Sequence, residues 1–232
     1  MTAASSLQEY HLHVADRKWT ILHTGALLSV ADELRFLGQQ TDRVPYGAVL
    51  WPSSIALTHE VIARADAFRG TRVLELGAGT GLPGIVAASL GARVVQTDRH
   101  ERALAVCMEN GARNGVGTIE YRLADWTDWH DVRCYEWIIG SDILYAERLH
   151  PHLRRIFESH LEPGGRVLIA DPFRTVGLRL LEQMEADGGW SVSLSTWGVG
   201  DEREPRSIAV YELARQQWES RPDRHESSGQ TR

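Results

Sequence analysis

From Arg72 onward the sequence alternates short apolar runs, rich in β-branched residues, with longer stretches of helical periodicity. The runs read RVLEL, RVVQT, TIEYRL, EWIIGS and RVLIA, followed by WSVSLSTWG and SIAVYEL. A strand that is apolar on both faces needs cover on both, and a strand–helix–strand repeat supplies it. The alternation therefore predicts an α/β fold, a Rossmann-like doubly wound sheet of seven strands, mostly parallel. The last two runs flank the charged stretch VGDEREPR and predict an antiparallel C-terminal hairpin.

Ahead of this repeat, EYHLHVADRKWTILHTG alternates apolar and polar residues on both sides of ADRK, which predicts a small N-terminal β-hairpin. LLSVADELRFLG reads as a short helix. TDRVPYGAVLWPSS is punctuated as a loop, with Ser53 or Ser54 capping a helix through IALTHEVIARADAF. The expected organisation is a hairpin and helix extension over 1–45, one domain over 46–216, and a tail over 217–232. That tail is polar and without apolar period, and is expected to be disordered. A chain of 232 residues can bury a sufficient core without disulfide or metal staples.

Composition narrows the setting. The two cysteines, Cys107 and Cys134, fall in segments that read as buried, which points to a reducing, cytoplasmic home. The pairs His11/His13 and His150/His152 have no third ligand tied to them, so no metal is expected. The N-terminus lacks a basic stretch followed by an apolar core, and no run approaches the ~18 apolar residues of a membrane span. A net charge of −6 without a basic block argues against a nucleic-acid partner.

The loop GAGTG follows the strand RVLEL directly. Gly77 and Gly79 let the backbone turn tightly and approach a ligand at the start of the next helix. About 20 residues on, the next strand ends at Asp98, whose carboxylate can accept both hydroxyls of an adenosine ribose. Dinucleotide loops read G-x-G-x-x-G, but Leu82 occupies the third glycine position, and Glu75 lies inside the preceding strand. A pyrophosphate is disfavoured beside a carboxylate. S-adenosylmethionine has no phosphate and is cationic at its sulfonium and ammonium, so Glu75 near its amino-acid end favours a methyl donor.

With ELGAGTG and Asp98 in register, the chain resembles the class I, seven-β-strand S-adenosylmethionine-dependent methyltransferases. PYGAVLWPSS before the loop and SDILY after the fourth strand of the sheet resemble methyltransferase family 16, which contains many protein lysine methyltransferases. Asp142 and Tyr145 match its D-x-x-Y signature. The resemblance places Trp51 near the cofactor, where an indole on a Pro-fixed loop can wall an adenosine or sulfonium pocket; an ordinary core tryptophan is the alternative. It also assigns Asp125 to the adenine amino group and Trp126 to the adenine ring, and it puts Ser141 on the cofactor side.

Asp142 and Tyr145 follow the fourth strand, which lies beside the first, where an open parallel sheet has its ligand crevice. They are the expected acceptor-side residues. Asp142 would orient an amine whose ordinary pKa is about 10.4, and Tyr145 would add a hydroxyl and an aromatic wall. Asp171 and Arg174, in ADPFR, reach the same rim, with acceptor recognition and a helix-start cap both open. The function expected is N-methylation of a protein lysine. A small-molecule N-methyltransferase and a non-catalytic S-adenosylmethionine-binding module are the alternatives.

Overall fold

A computed structural model describes residues 7–14, 17–27, 32, 48–200 and 205–216. The N-terminal strands β1 (Gln8–Val14) and β2 (Arg17–His23) form an antiparallel pair, with Thr20 opposite His11. The main sheet comprises β3 (Arg72–Leu76), β4 (Arg93–Asp98), β5 (Glu120–Leu123), β6 (Tyr135–Ser141), β7 (Leu161–Asp171), β8 (Trp190–Val199) and β9 (Arg206–Arg215). Its order is β5-β4-β3-β6-β7-β9-β8, parallel as far as β7 and antiparallel for β9 and β8. The Rossmann-like sheet with an antiparallel pair at one edge, and the separate N-terminal hairpin, stand as the sequence predicts. The helix expected within 27–38 and the tail 217–232 lie outside the described residues, apart from Leu27 and Asp32.

The helices are α1 (Pro52–Ala63), the short α2 (Ala65–Phe68), α3 (Leu82–Ser89), α4 (Glu101–Arg113), α5 (His150–His160) and α6 (Thr175–Ala186). The period of two along each strand sorts side chains between two cores. Val73, Ile139 and Leu168 join α1 and α3 on one face, whereas Leu74, Ile138 and Ile169 pack with α5 and α6 on the other. Among the described residues no helix is long and apolar enough to cross a membrane.

Two local readings change. Helix α1 starts at Pro52 with Trp51 at its N-cap, so neither Ser53 nor Ser54 caps it. Ser54 is already inside the first turn, its hydroxyl donating to the Trp51 carbonyl at 2.8 Å. Proline's fixed φ suits the first helical position and sets the start two or three residues early. The helical segment also breaks at Arg64, which leaves the α1 conformation with ψ 26° before α2 begins.

The hairpin is fastened by amide groups. On α4, Asn110 accepts from the Leu22 N–H at 2.7 Å and donates to the Leu22 carbonyl at 3.1 Å. One turn later, Asn114 does the same to Thr20, at 3.0 and 2.9 Å. Residues i and i+4 of a helix share one face, and alternate residues of a strand share one edge, so two asparagines complete the outer edge of β2 as a third strand would. Ile21, between those contacts, and Trp19, just before them, are buried in the core on the α1 and α3 side.

Candidate active site

Strand order reverses about β3. The chain moves outward from β3 to β4 and β5, then returns to place β6 on the other side of β3. Loops leaving the carboxyl ends of β3 and β6 diverge there, the place where an open α/β sheet keeps its ligand crevice. A cavity of about 470 Å³ opens at this point. Its walls bring together Trp51, Gly77, Gly79, Asp98, Asp125, Trp126, Ser141, Asp142 and Tyr145, nine of the ten residues the sequence singled out.

The loop after β3 is held by its acid. Asp98 is 6% exposed; one carboxylate oxygen accepts from the Gly79 N–H at 3.1 Å and the other from the His100 N–H at 2.9 Å. Burial pushes its pKa above the ordinary carboxylate range, and the two backbone donors oppose that rise. Each oxygen keeps a further lone pair for a ligand hydroxyl. Gly77 has φ 63°, and a Cβ there would meet the Trp126 ring at 3.1 Å and Ile143 at 3.3 Å. A bare backbone is therefore required at the cavity floor.

Glu75 is the tenth residue, and it is not on the cavity wall. It shares the strand face of Val73, pointing at α3, and is 1% exposed. Its Oε2 accepts from the Gln96 side-chain amide at 2.6 Å and from the Gly84 N–H at 3.1 Å. Burial pushes its pKa up to about 8, against those two donors. Direct contact with a cationic ligand is thus replaced by bracing of the first turn of α3. Gly84 makes this possible, because a Cβ at that position would collide with the Glu75 carboxylate. The close helix–strand approach assigned to the third glycine of a dinucleotide loop falls here to Gly84, two residues beyond Leu82.

Beyond β5, Asp125 caps a short 3₁₀ turn, Trp126–Asp128, accepting from the Thr127 N–H and hydroxyl, both at 2.8 Å. These bonds hold its carboxyl below the usual range, leading with the backbone N–H. The turn sets the half-buried Trp126 against Gly77. Asp98 and Asp125 thus stand at the carboxyl ends of neighbouring strands, on the wall of one cavity.

At the other end, Asp142 adopts φ 57°. Its side chain is 9% exposed, and Oδ1 lies 2.6 Å from Nη1 of Arg174. The same guanidinium nitrogen is 3.0 Å from Oδ2 of Asp171, whose other oxygen accepts from the Arg174 N–H at 2.6 Å. Burial raises the Asp142 pKa, and the Arg174 guanidinium opposes it. The non-glycine residues with left-handed φ among those described are Asp142 and Phe173 (φ 61°), and both lie in loops joined through Arg174. Strain in such loops persists only where surrounding contacts hold it. Tyr145, 44% exposed, stands at the cavity mouth. Sequence reasoning left acceptor recognition and a helix-start cap both open for Arg174, which lines the cavity; Arg99 and His100, not singled out from the sequence, line it too, directly after Asp98 at the end of β4.

The sheet order, the glycine loop after β3, the acid ending β4 and the acidic segment after β6 define a class I methyltransferase dependent on S-adenosylmethionine. More narrowly, the chain belongs to the lysine methyltransferase family, whose sequence profile matches residues 30–180. It is 35% identical over 153 residues to protein N-lysine methyltransferase METTL21A of Danio rerio, covering 63% of this chain and 69% of that protein. It is 31% identical over 112 residues to histone-arginine methyltransferase METTL23 of Mus musculus, covering 46% of this chain and 44% of that protein. Among solved structures it is similar to the N-methyltransferase NodS of Bradyrhizobium japonicum in complex with S-adenosyl-l-homocysteine. That likeness has a TM-score of 0.56 at 14% identity, covers 71% of this chain and 87% of that one, and concerns the fold.

Proposed function

We propose that this methyltransferase acts on the ε-amine of a lysine in a protein, in the cytoplasm and without a nucleic-acid partner. The observation that carries the reading is a single cavity in which the donor loop and the D-x-x-Y segment face each other across the β3/β6 switch point. The likeness to METTL21A supports lysine as the acceptor.

Bound S-adenosylmethionine supplies a methyl carbon made electrophilic by its sulfonium. In this reading Gly77 and Gly79 give close backbone approach to the amino-acid end, Asp98 accepts the ribose hydroxyls, and Asp125 with Trp126 receives the adenine. Trp51 and Ser141 complete the donor wall. On the acceptor side, Tyr145 offers its ring to the aliphatic stem of the lysine and its hydroxyl to the amine.

Asp142 acts together with Arg174 rather than alone. An unpaired carboxylate would hold the amine protonated, and a protonated amine has no lone pair for attack. With Arg174 between Asp142 and Asp171, the ionised cluster carries one net negative charge, enough to favour a cationic acceptor, while the guanidinium limits the rise in the amine pKa. Most of the rate then comes from holding amine nitrogen, methyl carbon and sulfur in line.

The test is incubation of the pure protein with methyl-labelled S-adenosylmethionine and a cell lysate, followed by total hydrolysis of the labelled protein. Label in methyl-lysine is expected. Label confined to methyl-arginine or to small molecules would overturn the lysine assignment.

A further inference from the structure

Three consecutive carbonyls of the donor loop are each drawn back by a buried side chain. The Cys107 thiol donates to the Gly79 carbonyl at 3.1 Å, the Asn110 amide to that of Thr80 at 2.9 Å, and the Gln96 amide to that of Gly81 at 2.7 Å. A peptide unit is planar and trans, so a carbonyl pulled one way turns the next residue's N–H the other way. Fixing those carbonyls against α4 and β4 therefore turns the N–H groups of Thr80, Gly81 and Leu82 away from them. The conformation that sets Gly79 and Thr80 on the cavity wall is imposed from behind the loop.

Asn110 differs from the other two donors in what else it holds. It is 0% exposed, and its one amide group bonds the Thr80 carbonyl and both backbone groups of Leu22 in the hairpin. Asn114 makes the matching pair of bonds to Thr20, yet its second donor contact is to the Asn110 carbonyl on its own helix. The two asparagines fasten the same strand equally, and one of them also reaches the donor loop.

We propose that Asn110 is a positioning residue for the methyl donor, and that through it the N-terminal hairpin forms part of the donor site. Docking of β2 fixes the orientation of the Asn110 amide, and the amide fixes the Thr80 peptide. Reciprocity follows, because whatever steadies the loop steadies the hairpin by the same coupling free energy.

The experiment uses the full chain and S-adenosylhomocysteine as the probe. Asn110→Asp and Asn114→Asp each replace an amide donor by a carboxylate facing two carbonyls, at greater cost to hairpin docking for the fully buried Asn110 than for the half-buried Asn114. Each affinity is therefore compared with that variant's own loss of stability in chemical denaturation. Calorimetry should show about five- to tenfold weaker binding for N110D and a change within about twofold for N114D, the loss of one buried hydrogen bond to the loop. In the parent protein, S-adenosylhomocysteine should also slow amide exchange at Leu22 by about fivefold. That second measurement needs no variant to fold. Equal affinity losses in the two variants, unchanged affinity in N110D, or hairpin exchange indifferent to the ligand would overturn the proposal.

Discussion

Arg174 places its guanidinium 2.6 Å from the Asp142 carboxylate and so ties the loop after β7 to the loop after β6. Removing one member of a buried pair leaves the other charge uncompensated. Arg174→Gln is expected to lower stability by about 2–3 kcal/mol in chemical denaturation. It should also slow methyl transfer about 10²-fold through misplacement of the acceptor residues. Donor affinity should stay within about threefold. Arg174→Lys should recover part of the rate, since it keeps the charge, although its shorter side chain carries that charge on a different atom from the Nη1 that meets both carboxylates.

Glu75 makes stability depend on pH. Its folded pKa is about 8 against an ordinary 4.5, so the folded state holds a proton that the unfolded state releases. Stability from this group is fully present below about pH 4.5 and falls, by a few kcal/mol, as pH rises to about 8. Glu75→Gln keeps an acceptor oxygen for Gln96 and Gly84 and cannot ionise. Denaturation midpoints between pH 5 and 8 should fall for the parent and stay nearly flat for the variant. Parallel curves would remove Glu75 as the cause.

The interior of the sheet was legible because burial on both faces forces the apolar runs that mark its strands. RVLEL and RVVQT fall on β3 and β4 to within a residue, and the antiparallel C-terminal pair was marked by its charged turn. Cavity-lining residues at strand ends, such as Asp98 and Asp142, were legible for the same reason. Glu75 was misplaced although the period of two carried the answer, since it sets residue 75 on the face of Val73, toward α3. Asn110 and Asn114 also left a signal, two amides one turn apart on an amphipathic helix, but the strand edge they cover is about 90 residues away in sequence. Arg174 joins loops from different strands, and no local pattern records such a meeting.

Asp98 holds the loop after β3, and under the proposed function it also accepts the ribose hydroxyls. On that reading, Asp98→Ala removes this acceptor along with the bonds to the Gly79 and His100 N–H groups. Calorimetry should show donor binding weaker by about 1.5–3 kcal/mol. An unchanged dissociation constant would take Asp98 out of the donor site.

The most direct test of the whole account separates donor binding from methyl transfer at the cavity mouth. Tyr145→Phe removes one exposed hydroxyl, and the account predicts that S-adenosylhomocysteine binds this variant as it binds the parent. Methyl-lysine formed in lysate proteins, counted by mass spectrometry, should fall at least tenfold, about 1.4 kcal/mol of transition-state contact. Parental rates in the variant, or a loss of ligand affinity that matches the loss of methyl-lysine, would contradict the placement of the lysine acceptor at Tyr145.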